Sequence, residues 1–195
     1  MKGMKKSTTR ITLILLVLVV GVVGYYAYLS GKSRDRASEA AMTQVQIVLS
    51  RDLKNDYPPT VKEVVKYYTE IQKCLYGGEC SEEEVEQLGL RERELYDEEL
   101  LAANDENSNL LQLKAEVGSF QEDSRKMTSV SVSSSANVDT FSEDGWEFAR
   151  IYCTYTILEG GRSNQVNTVY LLRRDENRRW KIYGWDLAQN VNPTD

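Results

Sequence analysis

Residues 11–29 (ITLILLVLVVGVVGYYAYL) form an apolar run without a charge, and nothing later in the chain repeats it. At about 1.5 Å per helical residue, such a run reaches roughly the 30 Å thickness of a bilayer's hydrocarbon core. The pattern then becomes amphipathic. Ala37, Ala41, Val45, Val48, Leu49 and Leu53 return at helical spacing, which predicts a stalk helix within residues 30–54. Pro58 and Pro59 stop it, because proline offers no amide hydrogen and restricts the residue before it.

Thr60-x-x-Glu63 reads as a capping box. It opens a helix that carries Val61, Val64, Val65, Tyr68, Ile71 and Leu75 on one face and ends at Gly77-Gly78. A second box, Ser81-x-x-Glu84, starts a short helix with Val85 and Leu88, which Gly89 is expected to close. Leu95, Tyr96 and Leu100 predict another short helix to about Ala103. After the polar turn 104–109, a further helix buries Leu110, Leu113, Val117 and Phe120.

The period then changes from 3.6 to 2. Residues 127–138, rich in Ser and Val, read as an edge strand. From Trp146 to Leu158 alternation is strict: Ala149, Ile151, Cys153, Tyr155 and Ile157 share one face, and Trp146, Phe148, Arg150, Tyr152, Thr154 and Thr156 the other. Gly160-Gly161 turns this strand into residues 166–174, and Asp175-Glu176-Asn177 turns that into residues 179–188. The expected class is α+β: an N-terminal transmembrane helix and stalk helix, then several helices packed on a curved antiparallel sheet of about four strands. The expected domains are a basic tail (1–10), the span (11–29), the stalk (30–54), an outer domain (55–190) and a short tail (191–195).

Charge sets the expected topology. Lys2, Lys5, Lys6 and Arg10 precede the span with no acid among them, and cationic loops resist translocation. The N-terminus is therefore expected inside the cytoplasmic membrane and the large C-terminal domain outside. A cleaved signal peptide is the rival reading. The run is longer than such a segment and ends in Tyr25, Tyr26 and Tyr28, which suit a membrane interface better than a small-x-small cleavage site. The chain as a whole carries 24 basic and 30 acidic side chains. Residues 37–195 hold 17 of the former and 29 of the latter, a formal charge of −12 that repels phosphate backbones and argues against nucleic-acid binding.

The absence of histidine removes Ser-His-Asp and Cys-His catalysis and the commonest zinc ligand. No phosphate loop, dinucleotide fingerprint or calcium loop is present. Catalytic, cofactor and metal residues are thus expected to be none. Cys74 and Cys80 flank the turn in CLYGGEC and are candidates for a disulfide, whereas Cys153 in IYCTY reads as a buried thiol. The runs Glu82-Glu83-Glu84 and Asp97-Glu98-Glu99 read as solvated helix starts.

Helices followed by a long antiparallel meander that ends in the tryptophan-bearing strand Trp180-Lys181-Ile182-Tyr183-Gly184-Trp185 is an arrangement similar to the nuclear transport factor 2-like superfold, also called SnoaL-like or cystatin-like. The likeness covers roughly residues 55–190, and its most specific part is the last two strands. Within that superfold the chain resembles single-span envelope proteins of Gram-positive-type bacteria. The resemblance implies a cone-shaped cavity between helices and sheet. Enzymes of the superfold, such as ketosteroid isomerase, place a carboxylate and tyrosines in that cone. The corresponding candidates here are Tyr67, Tyr68, Tyr155 and Asp186. Trp146, Phe148 and Tyr152 share a strand face and, with Trp185, are candidates for a pocket or a docking stripe.

The expected role is a membrane-anchored, extracytoplasmic, non-catalytic binding or assembly module. Its expected partners are the lipid bilayer, through residues 11–29, and another protein or a second copy. One alternative is a scaffold subunit of a type IV secretion or conjugation-like machine, which combines the same basic tail, single span and cystatin-like outer domain. The other is a small-ligand binder or SnoaL-like enzyme using the cone.

Overall fold

The computed structural model describes residues 43–78 and 80–189. The apolar run 11–29 and the first part of the expected stalk lie outside the described residues. Among those described, no helix is long and apolar enough to cross a membrane. The compact unit begins at Gln44, so the boundary expected at residue 55 falls inside it. Among the described residues, five helices (α1 Gln44–Leu49, α2 Val61–Gly77, α3 Glu82–Arg93, α4 Glu98–Ala103, α5 Glu106–Glu122) precede five strands (β1 Lys126–Val132, β2 Asp139–Glu143, β3 Trp146–Glu159, β4 Arg162–Arg174, β5 Trp180–Leu187). The class is α+β, with the helices on an antiparallel sheet.

The end of the expected stalk belongs to the core. Helix α1 stops at Leu49 rather than near Lys54, and Val48 and Leu53 are both buried. The Asp52 carboxylate accepts from the amides of Lys54 and Asn55, which bends the chain before the prolines are reached. Helix α2 then lies across the sheet with Val64, Val65, Ile71 and Leu75 fully buried. Its cap differs from the expected box. The Thr60 hydroxyl accepts from the Glu63 amide at 3.2 Å, but the Glu63 carboxylate takes the Thr60 hydroxyl and not the backbone amide. At Ser81 the reciprocal box is complete.

Helix α3 does not end at Gly89. It continues to Arg93 because α5 crosses it there, and a Cβ at Gly89 would lie 2.7 Å and 2.8 Å from methyl carbons of Leu113 and Leu110. That glycine serves close helix packing. Leu95 and Tyr96, expected in a helix, lie in the link before α4 and cover the β5 edge: Ile182 donates to Leu95 O, Asp97 donates to Ile182 O, and Tyr96 forms a parallel bridge with Ile182. Asp97 then caps α4, while Asp105 caps α5, which starts inside the stretch expected to be a turn.

The sheet has five strands, not about four. The segment 127–138 read as one strand gives only β1 and a 3₁₀ turn at Ser135–Asn137; β2 follows it, and both strands pair with β3 on the same side: β2 against residues 146–150 and β1 against 153–158. Asp144-Gly145 closes the β2–β3 hairpin, and Gly160-Gly161 closes β3–β4; both residues of each pair have positive φ, as two-residue hairpin turns require. Beyond β4 lies β5, giving the order β1/β2–β3–β4–β5. Ala149, Ile151 and Cys153 on β3, Leu172 on β4 and Ile182 on β5 are fully buried beneath α2.

Candidate functional site

The helices seal the sheet over Ala149, Ile151 and Leu172 but not over its far end, toward the Gly160-Gly161 turn. There a cavity of about 610 Å³ opens between α2, α3, α5 and the helix-bearing face of β3, β4 and β5. Residues at steps of four on α2 supply one wall: Tyr68, Gln72 and Tyr76. Glu92 enters from α3, Glu116 and Phe120 from α5, Tyr155 and Ile157 from β3, Thr168 and Tyr170 from β4. Trp185 and Asp186 of β5 stand at the exposed side.

A bulge aims Trp185 into this space. Along an unbroken strand Ile182 and Trp185, three residues apart, would face opposite sides. Here Tyr170 pairs with Trp185 and Leu171 with Gly184, but Leu172 pairs with Ile182, so Tyr183 is one residue extra and both Ile182 and Trp185 face the helices. The indole contacts three tyrosine rings, with centroids 6.2 Å from Tyr68, 5.9 Å from Tyr96 and 6.3 Å from Tyr170. Tyr68 meets Tyr170 edge-on at 5.5 Å.

Glu92 is the chemical centre. It is 4% exposed, and its carboxylate accepts from Gln72 Nε2 and, at 3.5 Å, from the Tyr96 hydroxyl. Gln72 is held in turn, donating at 3.2 Å to the Tyr68 hydroxyl. Burial pushes the Glu92 carboxyl up to about 8 against the pull of these two hydrogen bonds, and the nearby charge of Glu116 adds to the rise. A carboxyl poised so close to neutrality can give a proton, take one, or pair with a bound cation. Tyr155 and Tyr170 share a hydrogen bond of 2.6 Å between their hydroxyls, and burial keeps both phenols well above their ordinary range.

Four of the sequence candidates line the cavity: Tyr68, Tyr155, Trp185 and Asp186. Tyr67 does not. It points under α1, where its hydroxyl donates to Val48 O at 2.7 Å and Arg51 covers its ring. Trp146, Phe148 and Tyr152 lie on the other face of the sheet, because the face of Ile151, Cys153 and Tyr155 is the buried one. Phe148 is not a free docking residue: it stacks on Phe141 at 5.5 Å and meets Tyr183 edge-on. Trp146, 39% exposed, covers Arg173 at 4.6 Å. Arg173 is clamped by Asp97, 3% exposed, and by Glu99, so Asp97 is a buried ion-pair partner and not part of a solvated helix start.

Cys74 and Cys80 are free thiols; the Cys80 thiol donates to Cys74 O at 3.0 Å instead of bonding its sulfur. Burial raises the Cys74 thiol to about 11 and the Cys153 thiol to about 12. Among the described residues no group of three or more Cys, Asp or Glu is placed to hold a metal ion.

Sequence reasoning missed Glu92, Gln72, Tyr96 and Tyr170. The signal for the first was present: Glu92 follows Val85 by seven and Leu88 by four, an acid on the apolar stripe of its helix. Gln72 likewise follows Tyr68 by four on α2. The fold and site thus define a helix-on-sheet domain with a carboxylate- and tyrosine-lined cavity. Residues 1–185 match the family described as Domain of unknown function (DUF6715), and the chain belongs to it. No curated protein matches the sequence.

Proposed function

We propose that the chain is a binding protein held at a membrane by residues 11–29, with its domain outside, and that the domain takes up a small organic molecule in the cavity. In this reading the domain is nuclear transport factor 2-like and the cavity is the cone of that superfold. The observation that carries the reading is the buried Glu92, held by Gln72 and Tyr96 at a cavity of about 610 Å³. That volume is in the range of small-molecule sites, and such sites combine apolar walls with a few convergent polar groups. A docking role for the Trp146 and Phe148 stripe has less support, because those rings are occupied by Phe141, Tyr183 and Arg173.

Native mass spectrometry of the full chain, extracted from membranes in mild detergent, tests the cavity. A bound small molecule that is lost in Thr168→Trp, which fills the lining, is the expected result. Retention of the same molecule by a folded Thr168→Trp chain would place it elsewhere and overturn the reading. Protease shaving of whole cells tests the anchor: digestion down to a membrane-protected N-terminal fragment is expected, and full protection refutes the topology.

A further inference from the structure

Resting on the small-molecule reading above, we infer that the ligand is an organic cation, an ammonium group on an apolar body. Two carboxylates are directed to the cavity, Glu92 and Glu116, and no lysine or arginine lines it. An anionic ligand would meet repulsion there, and a neutral one would gain nothing from ionisation of the buried Glu92, whereas a cation supplies the counter-charge that ionisation needs.

The aromatic rings point the same way. Aromatic faces elsewhere on the domain, and Phe120 on the α5 wall of the cavity, are covered by the protein's own cations: Arg51 on Tyr67, Arg150 on Phe141, Arg174 on Trp180, Arg179 and Lys181 on Tyr57, and Arg125 on Phe120. Among the described residues, no lysine or arginine lies over Tyr68, Tyr96, Tyr170 or Trp185. Ring faces carry negative potential and attract an ammonium within about 6 Å, and a cluster of such rings beside carboxylates is how quaternary ammonium groups are recognised.

Binding and proton release are then coupled. An ammonium beside Glu92 favours its ionised form, so the cation binds more tightly as pH rises through the range in which that carboxyl loses its proton. The titratable groups facing Glu92 are Tyr68 and Tyr76 from α2, Tyr96 from the link, Glu116 from α5, Tyr155 from β3 and Tyr170 from β4. None of the tyrosines ionises in that range, as burial raises them all.

The test uses the full chain in mild detergent and calorimetric titration with two probe sets of matched shape. One is choline, 3,3-dimethylbutan-1-ol and 3,3-dimethylbutanoate; the other is 4-phenylbutylammonium, 4-phenylbutan-1-ol and 4-phenylbutanoate. In at least one set the cation is expected to bind roughly tenfold more tightly than its neutral partner, and more than about tenfold more tightly at pH 8.5 than at pH 6. Glu92→Gln should remove the pH dependence, and Trp185→Leu should weaken the cation more than the neutral probe. If the alcohol or the carboxylate binds as well as the cation, the charge assignment is overturned while the cavity reading stands. If none of the six probes binds but native mass spectrometry shows a molecule lost in Thr168→Trp, the identity of that molecule decides: a cation supports the inference, and any other charge overturns it. If neither experiment finds a cavity ligand, the underlying reading falls as well.

Discussion

Replacing Glu92 with glutamine should stabilise the domain near neutrality and change little in acid. In the folded chain this carboxyl is pushed up to about 8 by burial, against an ordinary value of 4.5. An acid that holds its proton more tightly when folded contributes most stability below the unfolded value and loses that contribution as pH rises toward the folded one. At pH 7 the gap to the unfolded value is about 2.5 units, so the wild type is less stable than its protonated limit by roughly 3 kcal/mol. Glutamine copies the protonated form in shape and can keep both hydrogen bonds, to Gln72 and Tyr96, without an ionisation to suppress. The variant should therefore match the wild type within about 1 kcal/mol at pH 4 and exceed it by about 3 kcal/mol at pH 7. In a chain of this size that corresponds to a rise in melting temperature of roughly 6–12 °C. Thermal unfolding of both proteins, followed by circular dichroism from acid to alkaline pH, measures the difference. An equal offset at every pH would show that Glu92 is not held neutral. A variant less stable than the wild type at pH 7 would show that the carboxylate is ionised and paired, and either result refutes the reasoning.

Asp97→Ala should destabilise the domain by up to about 3–5 kcal/mol, because it leaves the buried Arg173 guanidinium with only the exposed Glu99 as its ion-pair partner, and Arg173→Leu in the same chain should restore part of the loss; a denaturant titration that moves by less than about 1 kcal/mol would show the pair is not buried in solution. Val65→Asp or Ile71→Asp buries an unpaired charge in a fully enclosed site and should abolish cooperative unfolding; a variant that melts like its parent would remove α2 from the core. Cys153 should resist iodoacetamide near neutral pH and label only after denaturation, since burial holds its thiol at about 12; mass spectrometry showing modification of the native chain would contradict its enclosure.

Much of the framework was determined locally. The stripe Val61, Val64, Val65, Tyr68, Ile71 and Leu75 identified α2, and the alternation of residues 146–158 identified β3, because these periods are those of a helix and a strand with one buried face. The glycine pair 160–161 marked a hairpin that the structure contains, and Asp144-Gly145 carried the same signal for β2, though the Ser-rich stretch before it read as a single strand. Glu92 could also have been flagged, as an acid on an apolar stripe.

Other features depended on contacts between distant segments. Period 2 alone places Trp185 on the face opposite Ile182, and only the extra residue Tyr183 in the pairing with β4 turns the indole into the cavity. Gly89 looks like a helix end until α5 is seen crossing it. Asp97 looks solvated until Arg173, far along the chain, is brought against it. Local sequence sets which backbone conformations and which buried faces are favourable, and it did so reliably for α2 and β3. Which faces meet, and so where a carboxyl loses its water and a ring finds neighbours, is set by packing across the whole domain.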